Sequence, residues 1–313
     1  MSKFLVTGGA GFIGSHIVRF LLEKNHSVRV LDNFSSGKKE NLKKINGRIE
    51  LYRDDIRSSG ACLKAARDVD FVLHQAALRS VPKSMNNPKE YNEVNIGGTL
   101  NMLEASKKNK VKRFVFASSS SVYGEVDNFP QKESSLPQPI SPYALTKLTG
   151  EHYCKIFSYH RGLSTVALRY FNVFGPRQSL DDEYAVVIPR FITSMLNNQP
   201  APIYGTGKQS RDFTYVTNVV EANILAAIKS GVNGRVFNVA SGKDYTVLEL
   251  VKILNNILKK NIKPRFLKPR QGDVFRTLSD LSSSRRILGF NARIDFIMGL
   301  NLTVEYFKKI ASR

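Results

Sequence analysis

The chain of 313 residues contains no tryptophan and only two cysteines, Cys62 and Cys154. These cysteines have no paired spacing, so the sequence supports neither a disulfide framework nor a thiolate metal site. The five histidines are scattered along the chain without ligand-like spacing. We therefore expect a protein without disulfides and without a bound metal.

Long apolar runs are absent as well. No stretch approaches the roughly 20 residues that a membrane-spanning helix needs. The N-terminus passes directly into a strand-like run, Phe4-Leu5-Val6, rather than through a signal peptide. Because 42% of the residues are hydrophobic, the chain can bury a core and is not disordered. These features predict a cytoplasmic protein that binds no membrane.

Acidic residues are few compared with basic ones, 26 against 47, which gives a formal net charge of +21. Such an excess can indicate nucleic-acid binding. Here the basic residues are spread along the chain, with the densest stretch at 263–270, and no nucleic-acid motif accompanies them. We expect no nucleic-acid partner and a largely solvated basic surface that also attracts small anionic ligands.

Short β-rich runs alternate with helical patterns through the first half of the chain. Such alternation is typical of βαβ units and predicts an α/β fold, a doubly wound parallel sheet of the Rossmann type. We assign residues 1–172 to this dinucleotide-binding domain. Residues 173–313, which Pro and Gly punctuate, form a smaller mixed α/β region that mainly binds substrate and is interleaved with the first. The six predicted strands are Phe4–Val6, Val28–Leu31, Arg48–Tyr52, Phe71–His74, Arg113–Ala117 and Thr165–Leu168.

Polar segments follow several of these strands, and in a parallel sheet all strands end at one edge. The segments are the glycine turn 8–14, Asp54-Asp55-Ile56, His74-Gln75-Ala76-Ala77 and Ser118-Ser119-Ser120-Ser121. Their convergence predicts the active site at that edge.

The turn Gly8-Gly9-Ala10-Gly11-Phe12-Ile13-Gly14 lies between the first strand and a helix predicted from about 11 to 24. Glycines let the backbone approach a pyrophosphate, and the helix start offers unpaired N–H groups to it. The second strand ends at Asp32, whose carboxylate can bind the adenosine ribose. Since Asn33 follows, rather than an arginine for a 2′-phosphate, the sequence favours NAD over NADP.

Tyr143 and Lys147 are one helical turn apart in a helix predicted from 143 to 160. Ser141-Pro142 is typical of an N-cap and first helical position, which puts Tyr143 in the first turn. The helix dipole and the Lys147 ammonium should both lower the pKa of the Tyr143 phenol towards that of a general base. The alternative is a packed aromatic at Tyr143 and a surface pair between Lys147 and Glu151.

These motifs resemble the extended short-chain dehydrogenase/reductases, and among them the UDP-hexose 4-epimerases most. The resemblance extends over essentially the whole chain and also includes the segments 118–124, 168–172 and 211–215. It implies an isomerase with tightly bound NAD, acting on a UDP-hexose through a transient 4-keto sugar, and a homodimer. The segments 79–84 and 184–189 are similar to the branch that handles UDP-N-acetylhexosamines.

The resemblance also implies site residues. Tyr143, Lys147 and Ser119 would be catalytic, with Ser120 the second choice for the catalytic hydroxyl. The cofactor would contact Gly8, Gly11, Phe12, Ile13, Gly14, Asp32, Asn33, Asp55, Ile56, Ala76, Ala77, Arg79, Asn95, Tyr143, Lys147 and Tyr170. The substrate would contact Ser80, Ser119, Ser120, Tyr143, Asn172, Val187, Arg211, Arg270, Asp273 and Thr277.

Other activities of the same fold are open alternatives. Related 4,6-dehydratases carry an acid pair at the positions of Ser120 and Ser121, and UDP-glucuronate decarboxylases carry a Glu at that of Ser121, so the hydroxyls here argue against both. A UDP-glucuronate 4-epimerase and a non-catalytic NAD-sensing protein stay open. The small Thr277 stands where a bulky Tyr in related epimerases shuts out the N-acetyl group, which favours UDP-N-acetylglucosamine and UDP-N-acetylgalactosamine, with UDP-glucose and UDP-galactose as further substrates.

Overall fold

The computed structural model describes residues 1–179, 187–269 and 274–311. The strands in these ranges are β1 (Lys3–Thr7), β2 (Ser27–Leu31), β3 (Glu50–Tyr52), β4 (Phe71–His74), β5 (Arg113–Ser119), β6 (Thr165–Tyr170), β7 (Val173–Phe174), β8 (Pro202–Tyr204), β9 (Ser210–Asp212), β10 (Thr214–Tyr215), β11 (Arg235–Val239), β12 (Asp244–Thr246) and β13 (Arg265–Leu267).

The α-helices in the same ranges are α1 (Phe12–Glu23), α2 (Ser59–Ala65), α3 (Val81–Asn86), α4 (Pro88–Tyr91), α5 (Gly98–Lys108), α6 (Pro142–His160), α7 (Val187–Leu196), α8 (Val216–Ile228), α9 (Val247–Leu258) and α10 (Phe296–Ala311). Two short π-helical segments, Asn92–Gly97 and Ser284–Leu288, complete them. None of the helices in the described ranges combines the length and apolar character needed to cross a membrane.

Seven strands form one sheet in the order β11-β6-β5-β4-β1-β2-β3, and every pairing in it is parallel. The chain first builds outwards from β1 to β3 and then crosses back to place β4 on the other side of β1. This reversal makes a crevice at the carboxyl ends of β1 and β4, where such sheets bind their ligands. The predicted doubly wound α/β fold is confirmed.

The sheet differs from the prediction at its edges. The seventh strand, β11, comes from the second half of the chain and had no counterpart among the six predicted strands. The third strand starts at Glu50 rather than Arg48, because a 3₁₀ segment occupies Lys43–Arg48. The fifth strand continues through Ser119, so the first two serines of the polar segment belong to the sheet.

Alternate residues of the strands point to opposite faces of the sheet, as strand geometry requires. On β5, Val115 belongs to the hydrophobic cluster on one face, whereas Phe114 and Phe116 belong to the cluster on the other. The first face is covered by α1 and α8 and the second by α2, α5 and α6. Strands buried on both sides explain the continuous apolar runs of the sequence.

A third hydrophobic cluster lies in the second half of the chain. It joins α7, α9 and α10 around a group of aromatic rings, including Phe174, Phe213 and Phe296. Three two-stranded sheets, β7 with β10, β8 with β13 and β9 with β12, border this region. The division of the chain near residue 172 stays a prediction, and the placement of β11 shows that the second half also contributes to the main sheet.

A buried ion pair fixes α6 against the main sheet. Arg169 on β6 donates from Nε and Nη2 to the two carboxylate oxygens of Glu151 on α6, at 2.9 and 2.7 Å. The Ser118 hydroxyl on β5 donates to the same carboxylate. Both charged side chains are about 95% buried, so neither can exchange its partner for water.

Removing one member of this pair should be costly. Arg169→Met leaves the Glu151 carboxylate buried without its counter-charge, which should lower the free energy of unfolding by about 3–5 kcal/mol. The matched control is Lys308→Met, which breaks the exposed pair with Glu305 and should cost about 0.5 kcal/mol or less. Urea unfolding at neutral pH measures both values, and equal effects would show that the buried pair does not hold α6.

Candidate active site

The glycine turn after β1 is tightly closed. The backbone N–H of Gly8 donates to Leu31 O, and that of Gly11 donates to Gly8 O, at 2.9 and 3.1 Å. Gly8 has a φ of +66°, and a Cβ there would lie 2.8 Å from the backbone N of Ala76. A Cβ at Gly14 would lie 2.1 Å from Gly8 O. Glycine is therefore required for the turn to meet both the next loop and its own helix.

The start of α1 has no side-chain cap. Gly11 occupies the N-cap position, and none of the side chains that the structure describes accepts a hydrogen bond from the first-turn N–H groups. Uncapped N–H groups at the positive end of a helix are suited to an anion. The turn can therefore hold a phosphate group of a dinucleotide.

Asp32 stands at the end of β2, beside this turn. Its two carboxylate oxygens accept from the backbone N–H groups of Ala10 and Phe34, both at 2.8 Å. The side chain is 7% exposed, and this burial raises the pKa of Asp32, while the two N–H groups oppose the rise. The two backbone bonds fix the carboxylate at the cleft, where it retains acceptor capacity for a ribose hydroxyl.

Asn33 and Asp55 are joined directly. The Asn33 amide donates to Asp55 Oδ2 at 2.8 Å, and Arg57 Nη2 donates to the same oxygen at 2.8 Å. The hydrogen bond from Arg57 lowers the pKa of Asp55 to about 2, so this carboxylate is ionised at neutral pH. Asn33 and Asp55, two of the predicted cofactor residues, thus follow two different strands and together form a polar wall of the cleft.

A single cleft brings together the predicted cofactor residues except Asn95. It opens at the carboxyl edge of the sheet, as the sequence predicted. Those that line it are Gly8, Gly11, Phe12, Ile13, Gly14, Asp32, Asn33, Asp55, Ile56, Ala76, Ala77, Arg79, Tyr143, Lys147 and Tyr170.

Asn95 and Ser80 support the wall of the cleft instead of lining it. Asn95 lies in the π-helical segment and is buried, where it accepts from Leu78 N and donates to Leu78 O and to Thr146 Oγ1. The Ser80 hydroxyl caps α3 by accepting from Lys83 N, while Ser80 N donates to Tyr91 Oη. The π segment lies between α4 and α5, and Asn95 within it points inwards.

The two residues expected to carry the chemistry lie on one face of α6. Ser141 caps the helix by accepting from Ala144 N at 3.2 Å, and Pro142 is the first helical residue, as predicted. Lys147 is 5% exposed and donates from Nζ to Ala117 O at 2.8 Å. It does not pair with Glu151, whose carboxylate binds Arg169. The alternative of a surface Lys147–Glu151 pair is therefore wrong.

The expected lowering of the Tyr143 pKa is also wrong. Burial raises the pKa of Tyr143, and it outweighs a hydrogen bond with the Ser119 side chain and the charge of Arg79, which lower it. Burial likewise lowers the pKa of Lys147 to about 8, because removing water disfavours any charged form. Helix position and spacing predicted correctly that the two side chains share one face of α6. They did not predict that both side chains are buried away from water.

Ser119 is oriented to donate its proton outwards. Its Oγ accepts from both the backbone N–H and the hydroxyl of Ser121, at 3.2 and 2.9 Å. With these two bonds its acceptor capacity is used, and the remaining hydroxyl proton is free to donate. These two hydrogen bonds and the contact with Tyr143 favour Ser119 over Ser120 as the catalytic hydroxyl.

Three of the predicted substrate residues, Asn172, Arg211 and Thr277, lie around Asp212. The Asn172 amide donates to Thr277 Oγ1 at 2.9 Å and to Asp212 O at 3.2 Å. Arg211 is 9% exposed and donates from Nη1 to Ser210 O and Phe275 O. Val187 begins α7 and packs against the third hydrophobic cluster.

Thr277 is 5% exposed, and its hydroxyl also accepts from Asp212 N at 3.2 Å. It therefore holds Asn172 in place rather than lining the cleft itself. Arg270 and Asp273 lie outside the described residues, as does the segment 184–186.

Sequence reasoning missed several residues that line the cleft. Gln75 follows β4 and joins a buried network with Tyr170 and Asn223. Lys38 and Arg177 also border the cleft. Gln75 lies within a segment singled out at the sheet edge, whereas Arg177 carries no local signal apart from the Gly-Pro before it. No group of three His, Cys, Asp or Glu side chains in the described ranges could hold a metal ion.

Comparison with known proteins gives a consistent picture. The profile of the NAD-dependent epimerase/dehydratase family matches residues 4–240. The solved UDP-N-acetylglucosamine 4-epimerase of Methanobrevibacter ruminantium M1, in complex with UDP-N-acetylmuramic acid, is 44% identical, with a TM-score of 0.94 over 99% of both chains.

Two further relatives define the range of activities. The solved UDP-glucose 4-epimerase of Thermotoga maritima, with UDP-glucose, is 40% identical, with a TM-score of 0.94 over 99% of both chains. The UDP-N-acetyl-alpha-D-glucosaminuronate decarboxylase of Bacillus cytotoxicus is 33% identical over 98% of both chains. The relatives thus share UDP-sugars but not one reaction.

Proposed function

Since this chain belongs to the NAD-dependent epimerase/dehydratase family, we propose that it interconverts the 4-epimers of a UDP-hexose, with UDP-N-acetylglucosamine and UDP-N-acetylgalactosamine as its main substrates. The predicted family and the predicted cofactor, NAD, are confirmed by the comparisons, and so is the prediction of an isomerase. The choice of sugar, the roles of single residues and the homodimer are proposals.

The described residues fit NAD. The uncapped first turn of α1 and the closed glycine turn suit the pyrophosphate, and the buried carboxylate of Asp32 stands where a ribose hydroxyl can donate to it. When bound, oxidised NAD supplies the hydride acceptor. Holding it tightly suits an epimerase, because a cofactor that is reduced and reoxidised within one cycle has no reason to leave.

Proton transfer is assigned to the side chains on α6 and at the end of β5. Tyr143 takes the proton from the sugar 4-hydroxyl as C4 is oxidised, and it returns a proton when the 4-keto sugar is reduced on the other face. The Ser119 hydroxyl donates a hydrogen bond to the same sugar oxygen and keeps its proton. Lys147, held by Ala117 O, keeps a positive charge beside the phenol, with Nζ 6.0 Å from the Tyr143 ring centroid. A charge there stabilises the phenolate form of Tyr143, which accepts the proton and is restored when the proton is returned.

The single observation that carries the proposal is that Tyr143 and Lys147 lie together at the cleft that holds the glycine turn, with the Ser119 side chain hydrogen-bonded to Tyr143. A non-catalytic NAD-sensing protein has no need of this set. The hydroxyls of Ser120 and Ser121 also give no acid for dehydration, and the Ser121 side chain is already engaged with Ser119. Epimerisation without loss of water or carbon dioxide is therefore favoured over the other reactions of the family.

We expect the purified protein to carry NAD and to turn over without any being added. The test is incubation with UDP-glucose, UDP-N-acetylglucosamine and UDP-glucuronate in parallel, with chromatographic separation of the products. The predicted result is formation of the 4-epimer of the N-acetylated sugar and, more slowly, of UDP-glucose. Conversion of UDP-glucuronate alone would identify a uronate epimerase, and loss of carbon dioxide or water would identify the alternative activities.

Tyr143→Phe tests the proposed base. Without the hydroxyl, turnover should fall by at least about 10²–10⁴-fold, the range typical of general acid–base groups. Ser119→Ala should cost less, and Ser120→Ala, which removes the neighbouring hydroxyl, serves as the control. Steady-state kinetics measures all three, with bound NAD and UDP affinity as checks on the site. Turnover of Tyr143→Phe near that of the parent protein would overturn the assignment.

Thr277 tests the choice of sugar. Thr277→Tyr puts a bulky ring where the small side chain holds Asn172, so the displaced Asn172 narrows the sugar site, and kcat/KM for the N-acetylated sugar should fall at least about tenfold relative to UDP-glucose. Thr277→Val is the control, because it removes the hydroxyl that Asn172 and Asp212 N bind but keeps the volume. It should affect both sugars alike. An unchanged ratio in Thr277→Tyr would show that selection for the acetamido group lies elsewhere.

A further inference from the structure

Arg177 is a cation that the fold holds at the cleft. Its side chain lines the cleft, and its Nε donates to the hydroxyl of Ser15 on α1 at 3.0 Å. Within the described ranges no carboxylate forms an ion pair with it. Partly buried cations are normally paired, so an unpaired one facing a cleft indicates an anionic ligand.

The backbone holds Arg177 in a sparsely populated conformation. Its φ is +66°, which is unusual for a residue other than glycine. The preceding carbonyl, Pro176 O, lies 2.8 Å from Nε2 of His16, also on α1. Burial and the charge of Arg177 lower the pKa of His16 to about 3, so the ring is neutral and its Nε2–H donates to the carbonyl oxygen. Two consecutive residues of α1 thus fix the position of Arg177.

Among the charged neighbours of Arg177, the cation Arg19 has a larger effect on its pKa than the carboxylate of Glu23. Burial and the neighbouring Arg19 lower the pKa of Arg177 to about 10, so it is still charged at neutral pH. A guanidinium kept charged next to a second cation gains most from a bound anion, and its planar donors suit phosphate oxygens.

We propose that Arg177 binds the pyrophosphate of the NAD cofactor, completing the anion site that the glycine turn and the start of α1 begin. Its anchors, Ser15 and His16, lie on the helix whose first turn faces the same ligand. The substrate diphosphate is the competing partner, but its expected contacts, Asn172 and Arg211, cluster around Asp212 instead. The inference rests on NAD as the cofactor of the proposed function and does not require epimerase activity.

The test measures release of NAD from the purified holoprotein into a scavenging dehydrogenase, which consumes free cofactor. Arg177→Gln should release NAD about 10- to 100-fold faster, the range expected for losing one charge-assisted hydrogen bond. Arg177→Lys, which keeps the charge but not the planar donors, should show a smaller increase. The matched control is Arg19→Gln, which removes the same charge from a neighbouring side chain that does not line the cleft, and it should stay within twofold of the parent.

Two further readouts separate binding from a structural role. Added salt should accelerate NAD release from the parent more than from Arg177→Gln, because only the parent retains the charged contact. The affinity for UDP, measured by calorimetry, should stay within twofold in every variant. Parental NAD release from Arg177→Gln, or weakened UDP binding with NAD retained, would overturn the proposal. If Arg177→Gln does not fold, the comparison is made with Arg177→Lys. Release of NAD from Arg177→Lys no faster than from Arg19→Gln would then overturn the proposal. Failure of epimerisation with normal NAD binding would count against the proposed function only.

Discussion

The attachment of α6 to the ends of β5 and β6 is the constraint on which the site depends. The helix carries Tyr143, Lys147 and Glu151 at successive turns. The turns of Lys147 and Glu151 are both hydrogen-bonded to the sheet. Glu151 is bound by Arg169 and Ser118, and Lys147 is bound to Ala117 O. A shift of α6 would break a buried ion pair, which proteins tolerate poorly. The phenol at the top of the helix therefore has a fixed distance to the glycine turn on the adjacent strands.

This attachment also removes water from the two side chains on α6. Burial raises the pKa of Tyr143 and lowers that of Lys147, so the protein alone disfavours both charged forms. The two side chains are thus correctly positioned for proton transfer, although burial disfavours the charged form of each.

Local patterns in the sequence predicted the parts of the molecule that depend on local physics. The strand runs, the cap formed by Ser141 and Pro142 and the glycine turn follow from periodicity and backbone geometry, and all lie where expected. What the sequence could not provide depends on contacts distant in the chain. Strand β11 joins the main sheet from the second half, Asn95 turns inwards at a π segment, and Arg177 reaches the cleft through its bonds to α1. The burial of Tyr143 also depends on contacts distant in the chain, because burial is a property of the assembled fold.

The central claim is that C4 of the sugar is oxidised and reduced by hydride transfer within one enclosed cycle, with Tyr143 moving only the hydroxyl proton. The most direct measurement is epimerisation of UDP-N-acetylglucosamine in deuterium oxide, followed by mass spectrometry and NMR of the product. The account predicts a product without deuterium on C4, because the hydrogen returns from the cofactor and not from the solvent. Incorporation of one deuterium at C4 per turnover would contradict it, since the C4 hydrogen would then leave as a proton.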